Sequence, residues 1–455
     1  MDIGFEGFET GLGNFEMELS DFNVKKDLSR RIWEYEYGGT IVSGPSVKEG
    51  TVYFGCCDYN VYSLDAENGK EKWRFRTGGV ILSSSPEIHG NSLFITSEDG
   101  FLYCIDRESG KVKWRLMIDK KSWSCPTYNE GLVYVCGFED KTFYAVNAET
   151  GKEVWRFRTG DIISSANSIY KNNVLFGCYD GYLYCLAKRN GKLLWRFKTG
   201  GNVFGDKSFA IKDGIIIFGS FDQNIYAVDC ETGKEVWRFK TGHGVDQTGC
   251  IYDGKVFIGS HDNNFYALDF KTGKEVWRFE TGGRIGSVPV EFRGDIYFGS
   301  ADNYFYCLDS RTGKEVWKFR TGNINWCNPA ISKGKVFFGS TDCHFYALDV
   351  LTGKVAWIFE ASTLTSSKFR EEEKLVSAEI TIKPEKKYVK DDEKYNKIKE
   401  ETVSLSDYQI ESEYTTISEY RQKSDYDTSF VIFEEVIEFE ELLTPRISFF
   451  PSFYT

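Results

Sequence analysis

The stretch "TGKEVWRFKTG" at residues 232–242 returns with small changes at 150–160, 191–200, 272–282 and 312–322. Its tryptophan recurs as Trp33, Trp73, Trp114, Trp155, Trp195, Trp237, Trp277, Trp317 and Trp357, at spacings of 40 to 42 residues. Nine such anchors bound eight units. A period of this length with strand-like content predicts an all-β, eight-bladed propeller with four strands in each blade. In the unit ending at Trp277 the four segments read "VDQTGCIY", "KVFIGS", "NNFYALD" and "KEVWRFE", parted by the turn-formers "DG", "HDN" and "KTG".

The composition of the strip has physical reasons. Gly233 can take the positive φ of a tight turn, and Asp229 can accept the N–H groups of that turn. Alternation along "WRFK" puts Trp237 and Phe239 on one face and Arg238 and Lys240 on the other, so the indole is expected to wedge between neighbouring blades. Asn147 and Ala187 replace the aspartate in two units, where weaker turn caps are expected.

The unit D-x-x-T-G-K-x-x-W resembles the pyrroloquinoline-quinone (PQQ) type propeller repeat, over residues 31–360. That resemblance implies the fold, but the family holds both quinoprotein dehydrogenases and scaffolds without chemistry. The leading segment "RRIWEYEY" at 30–37 lies outside the eight units and is expected to clasp the ring where its ends meet. The chain thus divides into an N-terminal extension (1–29), the propeller (30–360) and an acidic C-terminal tail (361–455) that reads as β-rich or partly disordered.

With a net charge of −12 the chain lacks the basic excess that nucleic acid or an anionic membrane demands. The N-terminal stretch shows no secretory pattern, and no apolar run reaches membrane-spanning length, so a cytoplasmic protein without membrane insertion is expected. Of the twelve cysteines, Cys104, Cys185 and Cys307 fill the slot held elsewhere by Ala227, Ala267 and Ala347, the place of a small buried residue. Free thiols are therefore expected throughout. Four scattered histidines suggest no metal set, and no Walker loop, G-x-S-x-G or H-E-x-x-H motif is present.

One feature is similar to the quinoprotein dehydrogenases. "GCCD" at 55–58 sets Cys56 beside Cys57, and the resemblance implies a vicinal disulfide over a quinone, with PQQ and calcium as cofactors. Against it, Cys56 fills a slot shared with Cys178 and with Ser220, Ser260, Ser300 and Ser340. The units are also too short for the insertions that complete such sites, and no calcium ligand set can be assigned. The expectation is therefore a protein without catalytic residues or cofactor, with a PQQ-dependent dehydrogenase as the alternative.

In a repeat protein, function resides where the copies disagree. Aligned on the start of the inner strand, the slot of Ser83 reads Val42, Ser83, Trp123, Ser164, Asp206, Asp246, Gly286 and Trp326. The next slot reads Ser43, Ser84, Ser124, Ser165, Lys207, Gln247, Ser287 and Cys327. Trp123, Asp206, Lys207, Asp246, Arg284 and Trp326 are thus the candidate ligand- or partner-binding residues, at a channel mouth. In the tail, Tyr408, Tyr414, Tyr420 and Tyr426 recur every six residues, each behind a serine and an acid. An extended chain would show all four rings on one face. They read either as amphipathic strands covering a blade or as a multivalent motif for a protein partner. The expected function is a scaffold or protein-binding module.

Overall fold

The computed structural model describes residues 39–163, 165–205 and 207–361, and the backbone of 402–403 and 430–431. Residues 1–367 form one compact unit and residues 368–455 a second. The first holds eight four-stranded antiparallel sheets, each built from four consecutive strands. Blade 1 consists of β1 (Ser46–Lys48), β2 (Thr51–Gly55), β3 (Asn60–Asp65) and β4 (Glu71–Arg76). Blades 2 to 8 follow as β5 to β32 over residues 87–117, 127–158, 167–198, 210–240, 250–280, 290–320 and 330–360. In the second unit β33 (Thr402–Val403) pairs with β34 (Phe430–Val431). The segment 30–37, Asp206 and the four tail tyrosines lie outside the described residues.

The innermost strands are shorter than expected. The stretch "SSSP" at 83–86, which includes the Ser83 slot taken as the start of the inner strand, lies just ahead of β5, which begins only at Glu87. The serine hydroxyl explains this. Ser43, Ser84, Ser124, Ser165 and Ser287 each accept the backbone N–H at the end of their blade's second strand, from Gly55, Thr96, Cys136, Gly177 and Gly299. The side chain replaces the ladder bond that a longer inner strand would have made.

Adjacent blades are joined by one repeated contact. Each tryptophan of a fourth strand donates its indole N–H to a carbonyl of the next blade, as Trp237 does to Phe270 at 2.9 Å. Its ring covers that blade's turn glycine. Gly273 has φ +69°, and a Cβ there would stand 2.6 Å from Trp237 Cδ2. Trp155, Trp237 and Trp357 are buried, while the other five strip tryptophans of the ring are half-buried at the outer edge. Further in, phenylalanines stack from blade to blade, Phe265 on Phe298 at 4.0 Å and Phe305 on Phe338 at 3.9 Å.

The ring closes by these same contacts. Phe345 of blade 8 stacks on Phe54 of blade 1 at 4.1 Å, and Trp357 Nε1 donates to Ala66 O at 3.2 Å. The segment after Gly39 adds Ile41 N–H donating to Ser340 O, and the Cys327 thiol donating to Ser43 O. Every blade is complete within its own repeat, so no strand has to be shared across the seam.

The turn between second and third strands carries a feature that the sequence reading left unexplained. Its aspartate accepts the hydroxyl of a third-strand tyrosine in all eight blades, from Asp58–Tyr62 to Asp342–Tyr346. In six blades it also accepts a glycine N–H of the preceding blade, as Asp262 does from Gly242. Asn147 proves a full cap, accepting from the Glu149 and Thr150 amides and the Thr150 hydroxyl, because its Oδ1 has the same reach as a carboxylate oxygen. Ala187 has no such side chain.

Candidate functional site

The loops ahead of the inner strands share one end of the channel, since they occupy equivalent places in eight equivalent blades. Three of the expected residues gather there in blades 6 to 8. Asp246 pairs with His261 Nε2 at 2.8 Å, and both side chains are largely buried. Asp246 Oδ1 is also buried and has no hydrogen-bonding partner among the described residues. The Arg284 guanidinium lies over the Trp326 ring, 5.8 Å from its centroid. Gly286 leaves room for that indole, for a Cβ there would stand 3.2 Å from Trp326 Cδ1.

His243 completes the cluster. Its ring lies 5.9 Å from that of His261. Burial first, then the charges of His261 and Arg284, hold its pKa below the usual imidazole value. His243 and His261 fall outside the two slots compared in the sequence. A third variable slot, the residue before the turn aspartate, reads Cys57, Glu98, Glu139, Tyr179, Phe221, His261, Ala301 and Thr341. It would have shown His261, and also Phe221, whose ring lies 5.9 Å from it.

Trp123 sits apart in blade 3. It packs on Phe138 at 4.3 Å and donates its indole N–H to Glu98 at 2.5 Å. Burial raises the Glu98 pKa, partly opposed by that hydrogen bond.

Lys207 lies deeper than expected. Its ammonium is within electrostatic reach of Cys250, Cys125 and Cys327, which belong to blades 6, 3 and 8. Coupling to three separate blades sets it toward the centre of the ring, where the residue is half-buried. Burial lowers its pKa, and the same burial pushes Cys250 and Cys327 up to about 12, so these two thiols stay protonated and supply no counter-charge. Lys207 also occupies the slot of the accepting serine, and an ammonium, being only a donor, cannot make that bond.

All twelve cysteines carry free thiols. The Cys56 thiol points to Thr40 O and the Cys57 thiol to Ile81 O, and both are sealed from solvent. Among the described residues no group of three or more His, Cys, Asp or Glu side chains is placed to hold a metal ion. No helix among the described residues is long and apolar enough to cross a membrane.

Eight tryptophan-docked sheets around a channel with one variable mouth define a propeller of PQQ-like repeats. The family model described as outer membrane protein assembly factor BamB matches residues 24–90, 60–199, 179–285 and 281–383, and the chain belongs to that family. No curated protein matches it in sequence. Among solved structures, BamB from Moraxella catarrhalis is similar at 17% identity and a TM-score of 0.59, covering 66% of this chain and 94% of that one. The quinohemoprotein alcohol dehydrogenase ADHIIG from Pseudomonas putida HK5 is similar at 14% identity and 0.57, covering 67% and 69%. A computationally designed protein, Ika8, is similar at 15% identity and 0.60, covering 68% and 96%. At these identities the structural likeness shows the fold alone. Family membership supports a propeller scaffold or protein-binding role.

Proposed function

We propose that this chain is a non-catalytic, cytoplasmic protein-binding propeller that works without a cofactor and takes its partner at the channel mouth. The observation that carries the reading is the Arg284–Trp326 stack beside His243, His261 and Asp246. These residues break an otherwise uniform eightfold pattern, and the eight copies fold without needing them. A guanidinium over a half-buried indole suits an extended peptide segment that bears a carboxylate beside an aromatic or aliphatic side chain. Lys207 in the bore adds positive charge behind them. Trp123, in blade 3, and Asp206, by its place in the sequence repeat, are further candidate contacts. Tyr408, Tyr414, Tyr420 and Tyr426 add a second, multivalent contact.

The test is affinity capture with the full chain from its native host, repeated with Arg284→Gln and Trp326→Ala. The expected result is one set of partners that both variants lose while their melting temperatures stay close to that of the parent. Dye-linked dehydrogenase activity on adding PQQ and calcium would overturn the reading in favour of a catalytic propeller.

A further inference from the structure

A propeller blade ends in an open edge, and proteins protect such edges with charge. Here the fourth strands do so in a regular way. The residue after the docking tryptophan is Arg74, Arg115, Arg156, Arg196, Arg238, Arg278 or Lys318 in blades 1 to 7. Five of these cations pair with a glutamate three residues earlier, as Arg238 does with Glu235. Several also lie over a third-strand tyrosine, as Arg278 does over Tyr266 at 5.3 Å.

Blade 8 departs from this at every position. On β32 (Val355–Glu360) the cation is Ile358 and the glutamate is Val355, 49% and 45% exposed. At the turn before it stands Leu351, 61% exposed, where the other blades carry Glu67, Glu108, Glu149, Arg189, Glu231, Lys271 and Arg311. Among the described residues, β32 has a neighbouring strand, β31 (His344–Asp349), on one side only. Its other row of backbone N–H and C=O groups faces outward.

The charges that remain on this edge are self-complementary. If two copies of β32 pair antiparallel about a two-fold axis through Trp357, Lys354 faces Glu360 of the second copy and Ala356 faces Ile358. In blades 1, 3, 4, 5 and 7 the same register would set Lys70, Lys152, Lys192, Lys234 and Lys314 against Arg76, Arg158, Lys198, Lys240 and Arg320, a like-charge contact. Blade 6 offers Lys274 against Glu280 but keeps the Glu275–Arg278 guard. Only blade 8 combines an unguarded edge with an attractive register.

We propose that the outer edge of blade 8 is a homodimerisation surface, on which β32 of a second copy of this chain adds antiparallel to make one continuous eight-stranded sheet. The interface is isologous, with Leu351, Val355 and Ile358 excluding water around the strand pair. It uses neither the channel mouth nor the tail, so it stands or falls separately from the partner-binding reading.

The experiment is light scattering on the full chain during size-exclusion chromatography over a concentration series. The expected mass rises toward twice the 52.2 kDa of one chain. Ile358→Arg, which restores the cation that the other seven blades carry, should weaken the dimer about tenfold or more. Leu351→Glu should weaken it too and serves as the second variant, with melting temperature checked for both. Lys354→Glu and Glu360→Lys should each weaken the dimer, and the double variant should recover it. Amide exchange in β32 should slow as concentration rises. A mass that stays at one chain at every concentration overturns the proposal, including the case where β32 amides are protected in that monomer, since another occupant then holds the edge. A dimer indifferent to Ile358→Arg and Leu351→Glu overturns it equally.

Discussion

Trp237 shows how much one side chain contributes in this fold. Its ring is 7% exposed, its N–H reaches Phe270 O, and the turn of the next blade rests on its face. Trp237→Ala should cost roughly 3–5 kcal/mol in denaturant unfolding, the range for large aromatic truncation in a packed core. Lys207 is the opposite case. Its ammonium is held in the bore with protonated thiols around it, so Lys207→Met should raise stability by roughly 1 kcal/mol while weakening partner binding. Glu98 gives a sign that can be measured. Its folded pKa is raised by burial, so the folded state holds the proton more tightly than the unfolded chain. The stabilisation is fully present below the ordinary value of 4.5 and is lost as pH rises through the folded pKa. Glu98→Gln should remove this part of the pH dependence, which thermal unfolding at a series of pH values will show. None of the three environments can be read from the residue alone. The tryptophan's recurrence announces a structural role, whereas Lys207 and Glu98 show only as departures from a repeat.

At the scale of the blade, the turn aspartate and third-strand tyrosine form the internal brace. Tyr266 donates to Asp262 at 2.6 Å, and Asp262 also accepts from the Gly242 amide, which ties blade 6 to blade 5. Tyr266→Phe should cost about 1–3 kcal/mol, because a partly buried carboxylate loses one of its donors. Urea unfolding monitored by circular dichroism will measure it, and a change within about 0.5 kcal/mol, the scale of a neutral surface substitution, would show the brace to be dispensable. Strand order and turn positions follow from the repeat, whereas the register shift between third and fourth strands at the same point in each blade is seen only in the structure. The length of the inner strand did not follow. The "SSSP" stretch carries no signal against an extended strand, but the Ser84 hydroxyl takes over the second strand's N–H, and side-chain competition with the ladder leaves no mark in polarity or spacing.

Ring closure belongs to the whole molecule. Trp357, at 8% exposed, docks on Gly69 and Ala66 of blade 1 as Trp237 docks on blade 6, so the seam is an ordinary blade interface. Trp357→Ala should therefore cost the same roughly 3–5 kcal/mol as Trp237→Ala. A much smaller loss in the same unfolding measurement would mean that the ring is held shut elsewhere.

The sequence by itself determined the number of blades, their four-strand composition and the docking role of the tryptophans. Those properties are local and repeated eight times, so each copy reports on the others. It also marked Trp123, Lys207, Asp246, Arg284 and Trp326 as exceptions to the pattern. Only the tertiary structure decided what the exceptions meet: Arg284 over Trp326, His261 against Asp246, Lys207 in the bore rather than at the rim. The first and last of these join residues from different blades, and the second joins distant turns of one blade; the angle at which one blade faces the next comes from packing across the ring, which no period in the chain encodes.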